Sequence, residues 1–259
     1  MWHLSDADMF LLWKEVERRH GRPASDRIEA MLVAMTGRGG ATAAPGQHVA
    51  DFVLPGLPTR PWFEPGEFEW VVALEGRTSE LRRAYHEVRI EGSQIEHYLP
   101  RDQAPTPTTV AGLEPPEEGW WAYFFVRDGR VYPAACERCP AVAAALDATP
   151  LGLGDAMFSI LAARSEIPPH GGLNNLCLTC HLALEIPDEC GIEVDGSSRR
   201  WHDGHCLIFD DTFRHRAWNA SDRERVVLLF DFWHPALTAM EQEVLRWLIP
   251  RIRRRQPPV

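Results

Sequence analysis

With 259 residues, 45% hydrophobic and 25% charged, the chain has room for one large globular domain, or one domain with a small appendage. A net charge of −10 argues against non-specific nucleic-acid binding. No apolar run approaches the roughly 20 residues of a membrane-spanning helix. The first residues, Met-Trp-His-Leu-Ser-Asp-Ala-Asp, lack the basic start and apolar core of a signal peptide. A cytoplasmic protein with no nucleic-acid or membrane partner is therefore expected.

In chain order, residues 4–36 read as helical. Ser5 with Asp8 suits a helix start, and Phe10, Leu11, Trp13 and Val16 follow at about helical spacing. Arg22-Pro-Ala-Ser-Asp breaks that run, and Ile28, Met31, Leu32 and Met35 form a second short helix. Residues 1–37 are read as a helical appendage that either stands apart or packs on the main domain. Residues 38–48, rich in Gly, Ala and Pro, read as a linker. Phe52 to Trp62 is apolar with several prolines and predicts an extended segment. Residues 67–89 predict one long amphipathic helix, with Leu74, Leu81, Ala84, Tyr85 and Val88 on one face. Residues 100–118, dense in Pro and Gly, predict a loop.

Trp120 to Val126 predicts a strand closed by an Asp128-Gly129 turn, with Val131 and Tyr132 beyond it. Cys139-Pro140 opens a short helix through Leu146. From residue 156 onward strands dominate, expected near 156–162, 176–186, 191–195, 205–209 and 226–233, with Gly, Pro, Asn and Asp turns between. Short strands at this density favour a sandwich or small barrel. Thr238 to Arg254 predicts a closing helix with a basic tail. The predicted class is mainly β with flanking helices (α+β).

The six cysteines include two C-x-x-C pairs, Cys136 with Cys139 and Cys177 with Cys180. Two such pairs can build a structural zinc site. Cys177 and Cys180, however, sit in a predicted strand, where residues three apart point to opposite faces. Reduced, partly buried thiols are the simpler reading.

The chemistry concentrates between residues 159 and 235. His170 lies in Ile167-Pro-Pro-His170-Gly-Gly, and His215 ends Phe209-Asp-Asp-Thr-Phe-Arg-His215. Neutral imidazoles are common ligands for iron, zinc and copper. Beside these stand Cys180-His181-Leu-Ala-Leu-Glu-Ile-Pro, Cys190-Gly-Ile-Glu-Val, Trp201-His-Asp-Gly-His-Cys-Leu-Ile-Phe and Arg225-Val-Val-Leu-Leu-Phe-Asp-Phe-Trp-His-Pro. Weaker echoes are Leu54-Pro-Gly-Leu-Pro-Thr-Arg-Pro-Trp62 and Cys136-Glu-Arg-Cys-Pro. On these motifs the sequence resembles the aspartyl/asparaginyl β-hydroxylase family of Fe(II)/2-oxoglutarate-dependent oxygenases.

The resemblance implies a double-stranded β-helix, a jelly-roll, cupin-like core at about residues 120–237 within an oxygenase domain of 49–259. It implies an iron held by His170 and His215. Many iron oxygenases add a carboxylate two residues after the first histidine; Gly172 stands there, so water can fill that ligand position, and the site is left open, as a halogenase requires. Ser159 and Arg225 match the residues that hold the far carboxylate of 2-oxoglutarate, and His181 matches the one facing its other end. The family's arginine two residues before that histidine is Thr179 here. Thr179 and His181 share one strand face, so this end of the co-substrate site loses a charge, unless Arg164, Arg214 or Arg216 swings in.

The implied reaction is hydroxylation of an unactivated carbon, the β-carbon of an Asp/Asn-type or related amino acid, with O2 and decarboxylation of 2-oxoglutarate. The expected partner is a small-molecule, carrier-tethered or peptidyl amino-acid substrate. Trp120 and Trp121 serve equally well as substrate-cleft or core residues. Rival readings are altered chemistry at the same iron, halogenation or an oxidation without 2-oxoglutarate, and a catalytically inactive metal-binding barrel.

Overall fold

The computed structural model describes residues 4–21, 26–37, 43–90, 95–98, 109–110 and 119–255. Two helices open it, α1 (Asp6–His20) and α2 (Asp26–Met35). Ser5 caps α1 by accepting the Asp8 N–H at 3.1 Å, which satisfies one of the donors a helix start leaves over. After β1 (Trp62–Phe63) come α3 (Glu69–Glu75) and α4 (Thr78–Ile90). The single helix expected over 67–89 is thus divided at Gly76 and Arg77. Thr78 Oγ1 donates to the Glu75 carbonyl at 2.7 Å and starts a new helix there.

Next are β2 (Ile95–His97), β3 (Thr109–Val110), β4 (Trp120–Arg127) and β5 (Arg130–Val131). Most of the predicted 100–118 loop lies outside the described residues. Asp128 and Gly129 both have positive φ, 55° and 71°, the left-handed pair that a tight hairpin turn demands. Helices α5 (Pro133–Arg138) and α6 (Pro140–Asp147) each take a proline in the first turn, where no N–H is needed.

The remaining strands are β6 (Leu151–Leu161), β7 (Ser165–His170), β8 (Cys177–Glu185), β9 (Cys190–Val194), β10 (Ser197–Arg199), β11 (Cys206–Phe209), β12 (His215–Asn219) and β13 (Arg225–Trp233), before α7 (Ala239–Arg253). Every named strand pairing is antiparallel. The larger sheet runs β1-β11-β8-β13-β6-β4-β2-β3, with β5 attached to β4; the smaller runs β10-β9-β12-β7. Two facing antiparallel sheets with helices outside form a double-stranded β-helix. Strands β7, β10 and β12 were not predicted. β7 carries Pro168 and Pro169, which an outermost strand tolerates because one of its sides needs no N–H.

Strand alternation divides the apolar residues into two layers. Phe158, Leu182, Leu228 and Phe230 pack outward with Tyr85, Val88 and Val142 from the helices. Met157, Leu161, Ile192, Ala217, Val227 and Phe209 pack inward, between the sheets. A third core joins Leu12, Val16, Ile28, Met31 and Leu32 of the first helices to Val244, Leu245 and Leu248 of α7 and to Trp233. The half-buried Arg27 donates from Nε to Glu241 Oε1 at 2.9 Å across this core. Helices α1 and α2 therefore pack against α7. Cys177 joins this helical core, whereas Cys180 joins the outer layer of the large sheet. All six thiols are free. Among the described residues no helix is long and apolar enough to cross a membrane.

Candidate metal and co-substrate site

His170 ends β7 and His215 begins β12, and the antiparallel register sets them opposite each other. Their ring centroids lie 4.0 Å apart. His170 Nδ1 bonds the Pro168 carbonyl at 2.8 Å, and His215 Nδ1 bonds the Phe213 carbonyl at 2.9 Å. A carbonyl only accepts, so each Nδ1 carries the proton and each Nε2 keeps the lone pair a metal needs. Burial, with His170 beside it, lowers the His215 pKa to about 3, so the ring stays neutral.

The turn before His215 is tied down from within. Asp210 Oδ1 accepts the Thr212 N–H at 3.0 Å, and Gln47, from the segment read as a linker, donates to Thr212 Oγ1 at 2.8 Å. The next residue, Asp211, sets its carboxyl over Gly172, where a Cβ at 172 would collide with it. The space a side chain at position 172 would take is therefore occupied by a carboxyl group from the turn between β11 and β12. Asp211's pKa is raised by burial and by the neighbouring Asp231 and Asp210.

Deeper in the barrel Arg225, the first residue of β13, is 0% exposed. Its Nη1 donates to Ser159 Oγ at 3.3 Å, and its buried Nε has no hydrogen-bond partner among the described residues. No ion pair to Arg225 occurs among the described residues. Burial lowers its pKa to about 10. Ser159 on β6 also accepts the Trp120 indole N–H at 2.8 Å. Trp120 thus lines the interior and stands 6.0 Å from the His170 ring, while Trp121 faces the outer core. His181 on β8 accepts the Trp201 indole N–H at Nδ1, 3.3 Å away, and its buried Nε2 has no partner among the described residues. Burial, followed by the nearby Arg225 and His215, holds its pKa well below 6.5.

Thr179 shares the inner face of β8 with His181, as alternation requires, but its hydroxyl donates to Asp231 Oδ1 at 2.8 Å. Asp231 Oδ2 accepts the Asp155 N–H at 2.9 Å. Burial and the Asp155 charge raise Asp231 to about 7. The expected substitute cations lie elsewhere. Arg216 is exposed and held by Glu193 at 3.1 Å, Arg214 is exposed, and Arg164 sits in the β6–β7 turn at φ 54°. Sequence reasoning missed Trp201, Asp211 and Asp231. Asp231 was within its reach, since positions 225, 227, 229 and 231 share one strand face.

Residues 79–235 match the family model described as aspartyl/asparaginyl beta-hydroxylase. Aspartate beta-hydroxylase domain-containing protein 2 of Mus musculus is 32% identical over 205 residues, covering 76% of this chain and 57% of the relative. Aspartate beta-hydroxylase domain-containing protein 1 of Homo sapiens is 33% identical over 176 residues, covering 62% and 45%. The human aspartyl/asparaginyl beta-hydroxylase is 30% identical over 201 residues, covering 73% and 25%. The chain spans about half the length of the domain-containing relatives it matches. Among solved structures, the non-heme alpha ketoglutarate dependent epimerase SnoN from nogalamycin biosynthesis aligns over 65% of this chain and 83% of its own, at 15% identity and a TM-score of 0.38. That likeness is too distant to carry any of SnoN's chemistry to this chain.

Proposed function

The chain belongs to the aspartyl/asparaginyl β-hydroxylase family, and from that premise we propose that it is a non-haem iron hydroxylase using 2-oxoglutarate and O2. The observation that carries the proposal is Arg225, a fully buried guanidinium with no acid partner among the described residues, in the same barrel as two facing imidazoles. A buried cation is costly unless an anion meets it. The guanidinium fork suits a carboxylate.

His170 and His215 would hold the iron, and their carbonyl-tied Nδ1 atoms fit that role. When bound, iron supplies the oxygen and redox chemistry that side chains cannot. Arg225 and the Ser159 hydroxyl bind the far carboxylate of the keto acid. The His181 Nε2–H donates toward its other end. The inward apolar residues Met157, Val227 and Leu229 keep water out, which strengthens these polar contacts. We place the oxidised carbon at the β-position of an Asp/Asn-type residue or a related amino acid, presented free, in a peptide or on a carrier. Fe(II)-dependent conversion of 2-oxoglutarate to succinate tests this reading. His170→Ala and His215→Ala are each expected to abolish it, and undiminished turnover in both refutes the ligand assignment.

One observation favours a second reading. Thr179 and Asp231 pair with each other, so the entrance end of the site offers a carboxyl group where the resemblance implies a cation. An iron oxidation that needs no keto acid, or one that makes a chlorinated product, fits that substitution. Product formed without added keto acid, or a chloride-dependent product mass, selects it over the first.

A further inference from the structure

We propose that Trp201 is a positioning residue for the anion end of the barrel, fixing the tautomer of His181 and the orientation of Arg225 together. Only the identity of the anion rests on the 2-oxoglutarate reading. Trp201 is 3% exposed. An indole N–H can only donate, and this one donates to His181 Nδ1 at 3.3 Å. A neutral imidazole that accepts at Nδ1 must carry its proton on Nε2. That Nε2 is buried with no partner among the described residues, which makes it a donor in want of an acceptor. The two rings lie nearly parallel, 21° apart in plane and 5.9 Å apart at their centroids.

The Arg225 guanidinium stands 4.9 Å from the centre of the same indole ring. A cation over an aromatic face is attracted to it and tends to lie along it. The Arg225 Nε is likewise a buried donor without a partner among the described residues. One side chain therefore orients two donors that the protein leaves for something else to satisfy. A Phe would keep an aromatic ring beside Arg225, but it could not donate to Nδ1. Without that donor the His181 proton is free to move to Nδ1, and a lone pair would then face the incoming carboxylate and repel it.

The test reads the tautomer directly, in protein containing neither metal nor keto acid. Protein labelled with 15N-histidine is examined by long-range 1H–15N correlation, and the His181 signal is identified by its loss in His181→Gln. The wild type is expected to show the Nε2–H form alone, and Trp201→Phe a mixture of both forms. An Nδ1–H form in the wild type, or an unchanged Nε2–H form in folded Trp201→Phe, overturns the inference. If Trp201→Phe does not fold, the wild type decides alone, through a scalar coupling across the hydrogen bond between Trp201 Nε1 and His181 Nδ1. Its presence supports the inference and its absence overturns it. In turnover, Trp201→Phe is expected to raise KM for 2-oxoglutarate about tenfold with kcat little changed; a fall in kcat at unchanged KM counts against positioning. Should the wild type bind no 2-oxoglutarate, the proposed function falls, while the tautomer still decides the role of Trp201.

Discussion

The two ends of the barrel interior carry opposite electrostatics. At the deep end Arg225 has a serine, two tryptophans and a histidine around it and no acid among the described residues. At the entrance end, beside Thr179, the carboxyl groups of Asp155, Asp211 and Asp231 gather, and burial raises Asp211 and Asp231 above the usual carboxylate range. Between them stand His170 and His215. An asymmetric diacid entering such a barrel has one favourable orientation, with a free carboxylate toward Arg225. The polarity is built into the strands: on β13, Arg225 and Asp231 mark the two ends of one inward face, with Val227 and Leu229 between them.

The sharpest way to break this comparison is Arg225→Met. It is expected to weaken 2-oxoglutarate binding at least about a hundredfold, roughly 3 kcal/mol, because a desolvated charge partner is lost. Thermal unfolding of the same variant should show no loss of stability, and a gain fits equally, since a buried unpaired cation is replaced by apolar volume. A large fall in melting temperature would mean that Arg225 has a structural partner.

Asp231→Asn probes the other end through pH. The Asp231 carboxyl titrates near 7 in the fold, against 3.8 when free. Between those values the folded chain keeps a proton that the unfolded chain has released. This contribution to stability is therefore full below pH 3.8 and is lost as pH rises through 7. Asparagine cannot titrate, so the variant should lose on the order of 4 kcal/mol less than the wild type between pH 4 and pH 8. Parallel urea-unfolding curves across that range would sink the assignment.

The smallest expected effect is that of Thr179→Val, which removes one hydrogen bond to Asp231 and costs about 1 kcal/mol. The hydroxyl favours the charged carboxylate, so its loss should push the Asp231 titration further upward, visible in carboxyl 13C shifts. Unchanged shifts would mean that the hydroxyl does not engage Asp231.

Much of the fold was legible in residues 120–237. Alternation and the Asp128-Gly129 turn located β4, and apolar runs located β6, β8, β9, β11 and β13 to within a few residues. Strands β7 and β12 were illegible because prolines and charged residues hide a strand that gains its bonds from a distant partner. The same limit applies to the site. His170 and His215 stood out by motif, but their juxtaposition depends on the register of β7 against β12. Trp201 lies inside a recognised motif, yet nothing local says that its indole reaches His181 on another strand. Gly172 says nothing of what lies beside it; that the Asp211 carboxyl does depends on the turn before β12.

The two carbonyl tethers on His170 and His215 have one more consequence. On the proposed assignment each imidazole would already present its ligating nitrogen, so loading would ask for no folding step and little rearrangement. Such a site behaves as a socket rather than a clasp: divalent ions should enter and leave an intact protein, and their supply, more than the protein's own preference, then decides which of them sits there.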